Sequence, residues 1–370
     1  MKDFLISTDT TADLPASYVK ENNIDIHTLF YAFGEVIYGT DNIMPEKEFF
    51  DRMRNGDMPT TMACNPQDCK TIFEKRVSEG FDILHIAFSS ALSSSYNNAC
   101  IAANEVMEEH PGARIVVVDS LAASMGEGLI VYKAVEMKKS GKSMDEIIDF
   151  VNNHKLNVVH NFTVDDLNHL YRGGRVSKTT AIIGTLANIK PILHVDNEGR
   201  LINIGKVRGR KKSLIALVDR MEEHIGSYRD KNDVVFISHG DCLQDAQFVA
   251  GLVKERFGID NIWINYICPT IGTHSGPGTV ALFFMGESSN IHAKLAECLP
   301  PCQFCYMFYQ CIHIHRLRYK SVHACLLQHT YICFKTICCH CNYCTSIHFP
   351  FLVLIILVVS MPSIPAFSCP

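Results

Sequence analysis

The sequence has no long basic run, and its first residues, MKDFLISTD, have neither the basic nor the apolar region of a signal peptide. A net charge of −5 over 370 residues gives no general attraction to nucleic acid. Cysteine is scarce in residues 1–290, which hold five of the sixteen cysteines and no CxxC pair. These absences predict a reduced protein of the cytoplasm that binds no nucleic acid and makes at most transient contact with a membrane.

The end of the chain differs in composition from the rest. Residues 291–370 hold eleven cysteines and one acidic residue, Glu297, so this tail carries a net charge of +4 against −9 for the preceding residues. A zinc site on the widely spaced CxxC pairs that begin at Cys302 and Cys341 is one interpretation. A membrane anchor around FLVLIILVV, which is about half of the roughly 20 residues needed to span, is another. We favour a third, a non-native or disordered tail from frameshifted or read-through translation.

Short apolar, β-branched runs alternate with longer helical patterns before the tail. DILHIAF precedes the helical pattern SYNNACIAANEVMEE, and RIVVVD precedes another. Such alternation is typical of parallel strands joined by crossover helices. An antiparallel pair is predicted around PILHVDNEGRLINIGKVR. The sequence thus predicts a two-lobed α/β protein, with a parallel-sheet domain at residues 1–157 and a second, mixed-sheet α/β domain at residues 158–290.

Hydroxyl and carboxyl side chains cluster where the predicted strands end. The first strand ends in TDTT at 8–11, a later one ends in SHGD at 238–241, and residues 89–95 hold five serines. Ligands of open α/β sheets bind outside the carboxyl ends of the strands, so we expect these clusters to share one ligand-facing edge. One helix cap needs one hydroxyl. The excess serines predict that Ser93, Ser94 and Ser95 open a helix and accept an anion.

Seven motifs occur in the order and spacing of the DegV family, over about residues 1–287. They are STDTTADLP at 7–15, PTTMACNP at 59–66, SSALSSSYNNA at 89–99, DS at 119–120, LYRGGRVS at 170–177, NIKPIL at 188–193 and IGTHSGPG at 271–278. This resemblance implies a bacterial lipid-binding protein without cofactor or metal that holds one long-chain fatty acid in its N-terminal domain. It also implies presentation of the carboxylate to a separate ATP-dependent fatty-acid kinase, which makes acyl phosphate for phospholipid metabolism.

The resemblance also implies the residues that hold the carboxylate. Thr61 and Ser93 match the hydroxyl pair of the family, and His274 matches the histidine beside the head group. Neutral donors would hold the ion and leave its oxygen free to attack a phosphate. For His274 the alternative is a histidine packed in a Gly-rich turn.

Other positions of these motifs are expected to support the pocket or to contact the partner. Arg175 matches a family arginine near the pocket mouth, and Arg172 is the nearby alternative; both could also belong to a solvated turn. Ser94 and Ser95 are expected to support the pocket. The family often has TSQ where this chain has TMA at 61–63, and LSGTY where this chain has LSSSY at 92–96.

An acyl chain requires an apolar tunnel, because burial of each methylene contributes about 0.8 kcal/mol. We expect the walls of this tunnel to come from Tyr96–Met107 and from Leu121–Ile130.

Two other functions stay open at this point. A serine hydrolase would use Ser93 as nucleophile and His274 as base, but the sequence has no G-x-S-x-G elbow. An autonomous kinase of related fold would need a phosphate loop of the G-x-x-x-x-G-K-[ST] type, which is also missing. We therefore expect a substrate-presenting protein that is not itself a catalyst.

Overall fold

The computed structural model of the protein describes residues 3–177 and 188–287. The three interpretations of residues 291–370 lie outside these ranges, as does the end of the predicted second domain. None of the helices in the described ranges has the length and apolar composition that crossing a membrane requires.

Thirteen strands and ten α-helices are found in the described ranges. The strands are β1 (Phe4–Asp9), β2 (Asp25–His27), β3 (Phe30–Phe33), β4 (Val36–Tyr38), β5 (Thr60–Met62), β6 (Asp82–Ala87), β7 (Ile115–Asp119), β8 (Val158–Thr163), β9 (Ile189–Val195), β10 (Leu201–Arg208), β11 (Val235–His239), β12 (Ile262–Tyr266) and β13 (Val280–Met285). The helices are α1 (Ala16–Glu21), α2 (Glu46–Arg54), α3 (Pro66–Ser78), α4 (Ser95–Glu109), α5 (Met125–Lys139), α6 (Met144–His154), α7 (Asn168–Arg172), α8 (Arg210–Ile225), α9 (Leu243–Phe257) and α10 (Pro269–Ser275).

The first sheet has the strand order β2-β1-β6-β7, and all of its strands are parallel. All six residues of β1 are buried, as expected for a parallel strand with both faces covered. This sheet confirms the parallel arrangement predicted from the alternation of apolar runs and helical patterns.

The second sheet has the order β10-β9-β8-β13-β11-β12. Only the β11–β12 pair is parallel, and the other four pairs, including the predicted β9–β10 pair, are antiparallel. The mixed α/β class is therefore confirmed. All described residues belong to one compact unit, and the domain boundary at residues 157 and 158 stays a prediction.

Helix α5 lies in the core that the two sheets share. Its residues Leu129 and Val131 are fully buried and belong to one apolar cluster with Leu84 of β6 and Phe283 of β13. A helix that is apolar on most sides is stable only when protein surrounds it. The apolar stretch LIV at 129–131 thus holds the two sheets together.

A third, small sheet with the order β4-β3-β5 was not predicted. Tyr31 and Phe33 of β3 pack on Phe49 of α2, in a cluster that also contains Ile267 just before α10. Two of its three strands have only three residues, which is too short for period-two alternation to be visible. The small sheet places Thr61 of β5 next to α10.

Candidate carboxylate site and cavity

A cavity of about 310 Å³ is lined by residues of the small sheet, the mixed sheet and α10, and by the segments that follow β6 and β7 of the parallel sheet. This volume is at the lower end of the roughly 300–1,000 Å³ found for small-molecule pockets. Most of its wall is apolar and comes from Leu29, Phe88, Leu92, Phe162, Val195, Leu201, Ile267, Ile271, Ala281 and Phe283.

One wall is a face of the mixed sheet. His160 and Phe162 of β8 alternate along their strand, and Ala281 and Phe283 of β13 stand opposite them in register. Residues two apart in a strand point to the same face. Burial lowers the pKa of His160 to about 3, so this ring is neutral, with Nδ1 3.0 Å from the Val158 carbonyl oxygen. The wall is therefore uncharged throughout.

The expected tunnel walls are only partly correct. The prediction for Tyr96–Met107 is wrong, since none of these residues lines the cavity and the buried face of α4 packs in a separate apolar cluster with Phe73. From Leu121–Ile130 only Ala123 and Ser124 reach the cavity. The rest of that segment starts α5 and is used in the core between the sheets.

Polar side chains from four separate parts of the chain line the same cavity. Thr61, Ser93, Ser94, Arg175 and His274 are all in its wall. Thr61 Oγ1 lies 2.9 Å from His274 Nε2, although the two residues are 213 positions apart in the sequence. The structure therefore brings together the three residues that the resemblance implies for the carboxylate.

The protonation of His274 follows from its surroundings. Burial, together with the charges of Arg175 and Arg172, lowers the pKa of this imidazole to about 4, so the ring is neutral near pH 7. Nδ1 is buried and has no hydrogen-bond partner among the described residues. A proton there would be an unsatisfied donor, so we assign the proton to Nε2, which donates to Thr61 Oγ1. The hydroxyl proton of Thr61 is then free to point into the cavity.

The first glycine of the RGGR motif fits closely against this histidine. A Cβ atom built on Gly173 would collide with His274 Nδ1. The absence of a side chain thus lets the turn after α7 close over the imidazole. A fully solvated turn would have room for a side chain at this position.

The two arginines of the motif have different surroundings. Arg175 lines the cavity, and its Nε and Nη2 donate to the Leu92 carbonyl oxygen at 3.1 and 2.7 Å. Arg172 is exposed, is not in the cavity wall, and contacts Met58 and His169. Arg175 therefore ties down the loop that carries Ser93, whereas Arg172 faces outward.

The serine cluster divides in a similar way. Helix α4 begins at Ser95, as predicted, but the N-cap residue Ser94 makes no capping hydrogen bond with its side chain. Ser94 lines the cavity, whereas Ser95 is fully buried behind Ser93 and does not line it. The Ser94 hydroxyl therefore does not act as an ordinary helix cap.

The expectation of one shared ligand-facing edge is wrong for the first strand. Thr8 and Thr11 are fully buried, and their hydroxyls lie 2.8 and 3.0 Å from the two carboxylate oxygens of Glu127 in α5. Neither threonine lines the cavity, and neither does Asp9. These groups face a buried carboxyl because α5 covers the end of β1.

Comparison with known proteins agrees with the motifs. The model of the DegV family, a family of uncharacterised proteins, matches residues 3–287. The chain belongs to the DegV family. A DegV domain-containing protein of Clostridium perfringens is 44% identical over 290 residues, which cover 78% of this chain and 99% of that protein. The DegV domain-containing protein YteA of Lactococcus lactis is 37% identical over 77% of this chain and 99% of its own length.

Solved DegV structures share the fold. A fatty-acid-binding DegV family protein of Thermus thermophilus is 26% identical, with a TM-score of 0.67 over 77% of this chain and all of that one. DegV of Bacillus subtilis, a fatty acid binding protein, is 26% identical, with a TM-score of 0.68 over 78% of this chain and all of that one.

Proposed function

We propose that this protein binds one long-chain fatty acid in the cavity, with the carboxylate held by the hydroxyls of Thr61 and Ser93. The observation that carries the proposal is the hydrogen bond between Thr61 and His274 in the wall of a mostly apolar cavity of about 310 Å³. Fatty-acid binding by the DegV proteins of Thermus thermophilus and Bacillus subtilis supports the same ligand class.

The apolar and the polar surfaces of the cavity have different roles in binding. The apolar walls supply affinity, at about 0.8 kcal/mol for each buried methylene. The hydroxyls supply orientation. The guanidinium of Arg175 donates to the Leu92 carbonyl oxygen, so it also fixes the loop that carries Ser93. A carboxylate held by neutral donors keeps its nucleophilic oxygen.

Presentation of the carboxylate to a separate ATP-dependent fatty-acid kinase, in the cytoplasm, is the second part of the proposal. The part of the cavity wall next to Thr61 includes Met62, which is 38% exposed. Exposed Tyr171 and Arg172 precede the turn that packs on His274. A partner could therefore reach the head group at this part of the wall.

The geometry supports binding over serine hydrolysis. In a hydrolase the histidine must accept the proton of the nucleophilic serine. His274 Nε2 instead contacts Thr61 Oγ1, and Ser93 Oγ contacts Ser95 Oγ at 2.9 Å. Ser93 thus has a hydroxyl neighbour where a hydrolase would have its base.

Calorimetric titration of the delipidated full chain with palmitate and with oleate tests the binding step. We expect one site, with affinity weakened about tenfold or more in Thr61→Val and in Ser93→Ala, because each removes a hydrogen bond to a charged group. Ser213→Ala is the matched control, since Ser213 is fully buried and its hydroxyl donates within α8, away from the cavity. Equal affinity in all four proteins would contradict the site, and no uptake of either acid would contradict the function.

The presentation step needs a separate assay with a purified fatty-acid kinase and ATP. Acyl phosphate should form only when kinase and loaded protein are both present, and His274→Ala should slow its formation more than it weakens fatty-acid binding. ATP turnover by this protein alone would contradict the proposed division of labour. Full turnover in His274→Ala would contradict the role of the histidine.

A further inference from the structure

A fully buried serine stands directly behind the Ser93 hydroxyl. Ser95 Oγ lies 2.9 Å from Ser93 Oγ and accepts the backbone N–H of Cys64 at 3.3 Å. The backbone N–H of Ser95 also donates to Ser93 Oγ at 3.2 Å. Ser95 therefore connects the segment that follows β5 to the head-group hydroxyl.

The number of protons on the two hydroxyls decides which of them donates the hydrogen bond. In the hydrogen bonds of the described residues, Ser93 Oγ is the sole acceptor available to the hydroxyl proton of Ser95. When Ser95 donates, Ser93 Oγ accepts one O–H and one N–H from the protein. A hydroxyl has one proton and two acceptor lone pairs. The proton of Ser93 is then left to point into the cavity.

Thr61 has an equivalent arrangement on the other side of the site. His274 Nε2 donates to Thr61 Oγ1, which leaves the threonine proton for the cavity. Both hydroxyls thus accept hydrogen bonds from the protein and offer donors to the ligand. A carboxylate accepts at both oxygens, whereas an alcohol also carries a proton that would face these two donors without an acceptor.

We propose that Ser95 is a positioning residue that makes Ser93 an obligate donor, so that the site selects an ionised carboxylate over the alcohol of the same chain length. This inference rests on the proposed fatty-acid binding. The walls treat both ligands alike, because palmitate and hexadecanol share the same apolar chain. Discrimination between them therefore reports on the polar side chains of the cavity, and the Ser95 variants isolate the contribution of the Ser93 hydroxyl.

The test measures the ratio of the dissociation constants of hexadecanol and palmitate for the full chain. We expect Ser95→Ala to lower this ratio about tenfold, mainly by weakening palmitate binding, and Ser95→Thr, which keeps the hydroxyl, to preserve it. Adding Ser95→Ala to Ser93→Ala should change the ratio no further, because Ser95 acts through Ser93. Ser213→Ala should leave the ratio unchanged.

Two results would overturn the inference: a wild-type ratio in Ser95→Ala, or a further fall when Ser95→Ala is added to Ser93→Ala. If Ser95→Ala does not fold, Ser95→Cys replaces it, because a thiol keeps the shape of the side chain but is a weaker donor. Ser95→Cys should also lower the ratio, and an unchanged ratio in this variant would contradict the inference. Failure of the wild-type protein to bind palmitate would instead contradict the proposed function. The two failures are therefore distinguishable.

Discussion

Two clusters in this protein each combine two hydroxyl residues with a third polar side chain, and their surroundings differ. The head-group cluster, Thr61, Ser93 and His274, lines the cavity. The buried carboxyl cluster, Thr8, Thr11 and Glu127, is sealed between β1 and α5. In the first cluster we propose that a ligand supplies the partner of the hydroxyls, whereas in the second the protein supplies a carboxyl of its own.

The buried carboxyl cluster shows how a protein uses this chemistry for its own stability. Thr8 Oγ1 lies 2.8 Å both from the Ile86 carbonyl oxygen and from Glu127 Oε1, but it has one proton. Burial raises the pKa of Glu127 well above its ordinary value, and the nearby carboxyl of Asp9 raises it further. A protonated Glu127 can donate to Thr8 while Thr8 donates to Ile86. The sealed cluster thus completes its own hydrogen bonds.

Removal of the buried carboxyl should have the largest effect on stability. Glu127→Ala leaves a cavity and an unpaired Thr11 hydroxyl, so we expect the free energy of unfolding to fall by about 2–4 kcal/mol. Glu127→Gln resembles the protonated acid and should cost less than half as much. Urea denaturation of both variants checks this, with exposed Glu48→Ala as the control. An equal loss in the Ala and Gln variants would mean that the ionised form is present.

A matched pair of Thr→Val substitutions separates the two clusters. Thr8→Val should lower the free energy of unfolding by about 1–3 kcal/mol and leave palmitate affinity unchanged, because its hydroxyl is buried away from the cavity. Thr61→Val should weaken palmitate binding about tenfold and lower the free energy of unfolding less than Thr8→Val does, because the His274 Nε2–H that loses its acceptor lies in the cavity wall. Denaturation gives the free energy of unfolding of both variants, and calorimetry gives their palmitate affinities. If either variant changed both properties strongly, the clusters would not be independent.

The contact between Gly173 and His274 can be broken by a single methyl group. Gly173→Ala forces a Cβ against the imidazole, so we expect His274 to move and palmitate affinity to fall severalfold. Gly251→Ala is the control, because a Cβ there meets no atom and the residue lies inside α9. Calorimetry compares the two variants. Unchanged affinity in Gly173→Ala would show that the position of the ring is unimportant for binding.

The smallest expected effect is a change in pH dependence. Asp13 accepts hydrogen bonds from Ser124, a cavity residue, and from the backbone N–H of Cys268 at 2.9 Å. Burial raises the pKa of Asp13 from 3.8 to about 7. Between about pH 4 and 7 the folded protein therefore binds a proton at Asp13 that the unfolded chain does not bind. The stability that this proton contributes is lost as the pH rises from about 4 to 7.

Asp13→Asn removes this titration and keeps the hydrogen-bonding shape. Its free energy of unfolding should rise relative to the wild type as the pH increases from about 4 to 7, and the difference should level off above that range. Denaturation curves at several pH values measure the difference. Parallel profiles for the two proteins would mean that Asp13 is already ionised in the folded state.

Much of the architecture was predictable because it depends on local patterns. Strand β7 is a β-branched run, and the capping box that Ser143 and Glu146 form at the start of α6 follows from a local S-x-x-E pattern. The small sheet was missed because its strands are too short for a period, and their pairing depends on Phe49 from another segment.

That Thr61, Ser93 and His274 lie near one another was predictable, but their contacts were not. The motifs identified Thr61, Ser93 and His274, but only the fold shows that the histidine contacts the threonine and that Ser95 contacts Ser93. The walls could not be predicted, because Phe162 and Phe283 have the same apolar alternation as any core residue. Whether such a side chain faces a cavity depends on elements far away in the sequence.

Mass spectrometry of an organic extract from the full chain, purified without added lipid, tests the central claim most directly. The account predicts one long-chain fatty acid per protein in the wild type and a clearly lower amount in the Thr61→Val, Ser93→Ala double variant. Ser213→Ala should retain the wild-type amount. An empty wild-type extract, together with no uptake of added palmitate or oleate, would contradict the account.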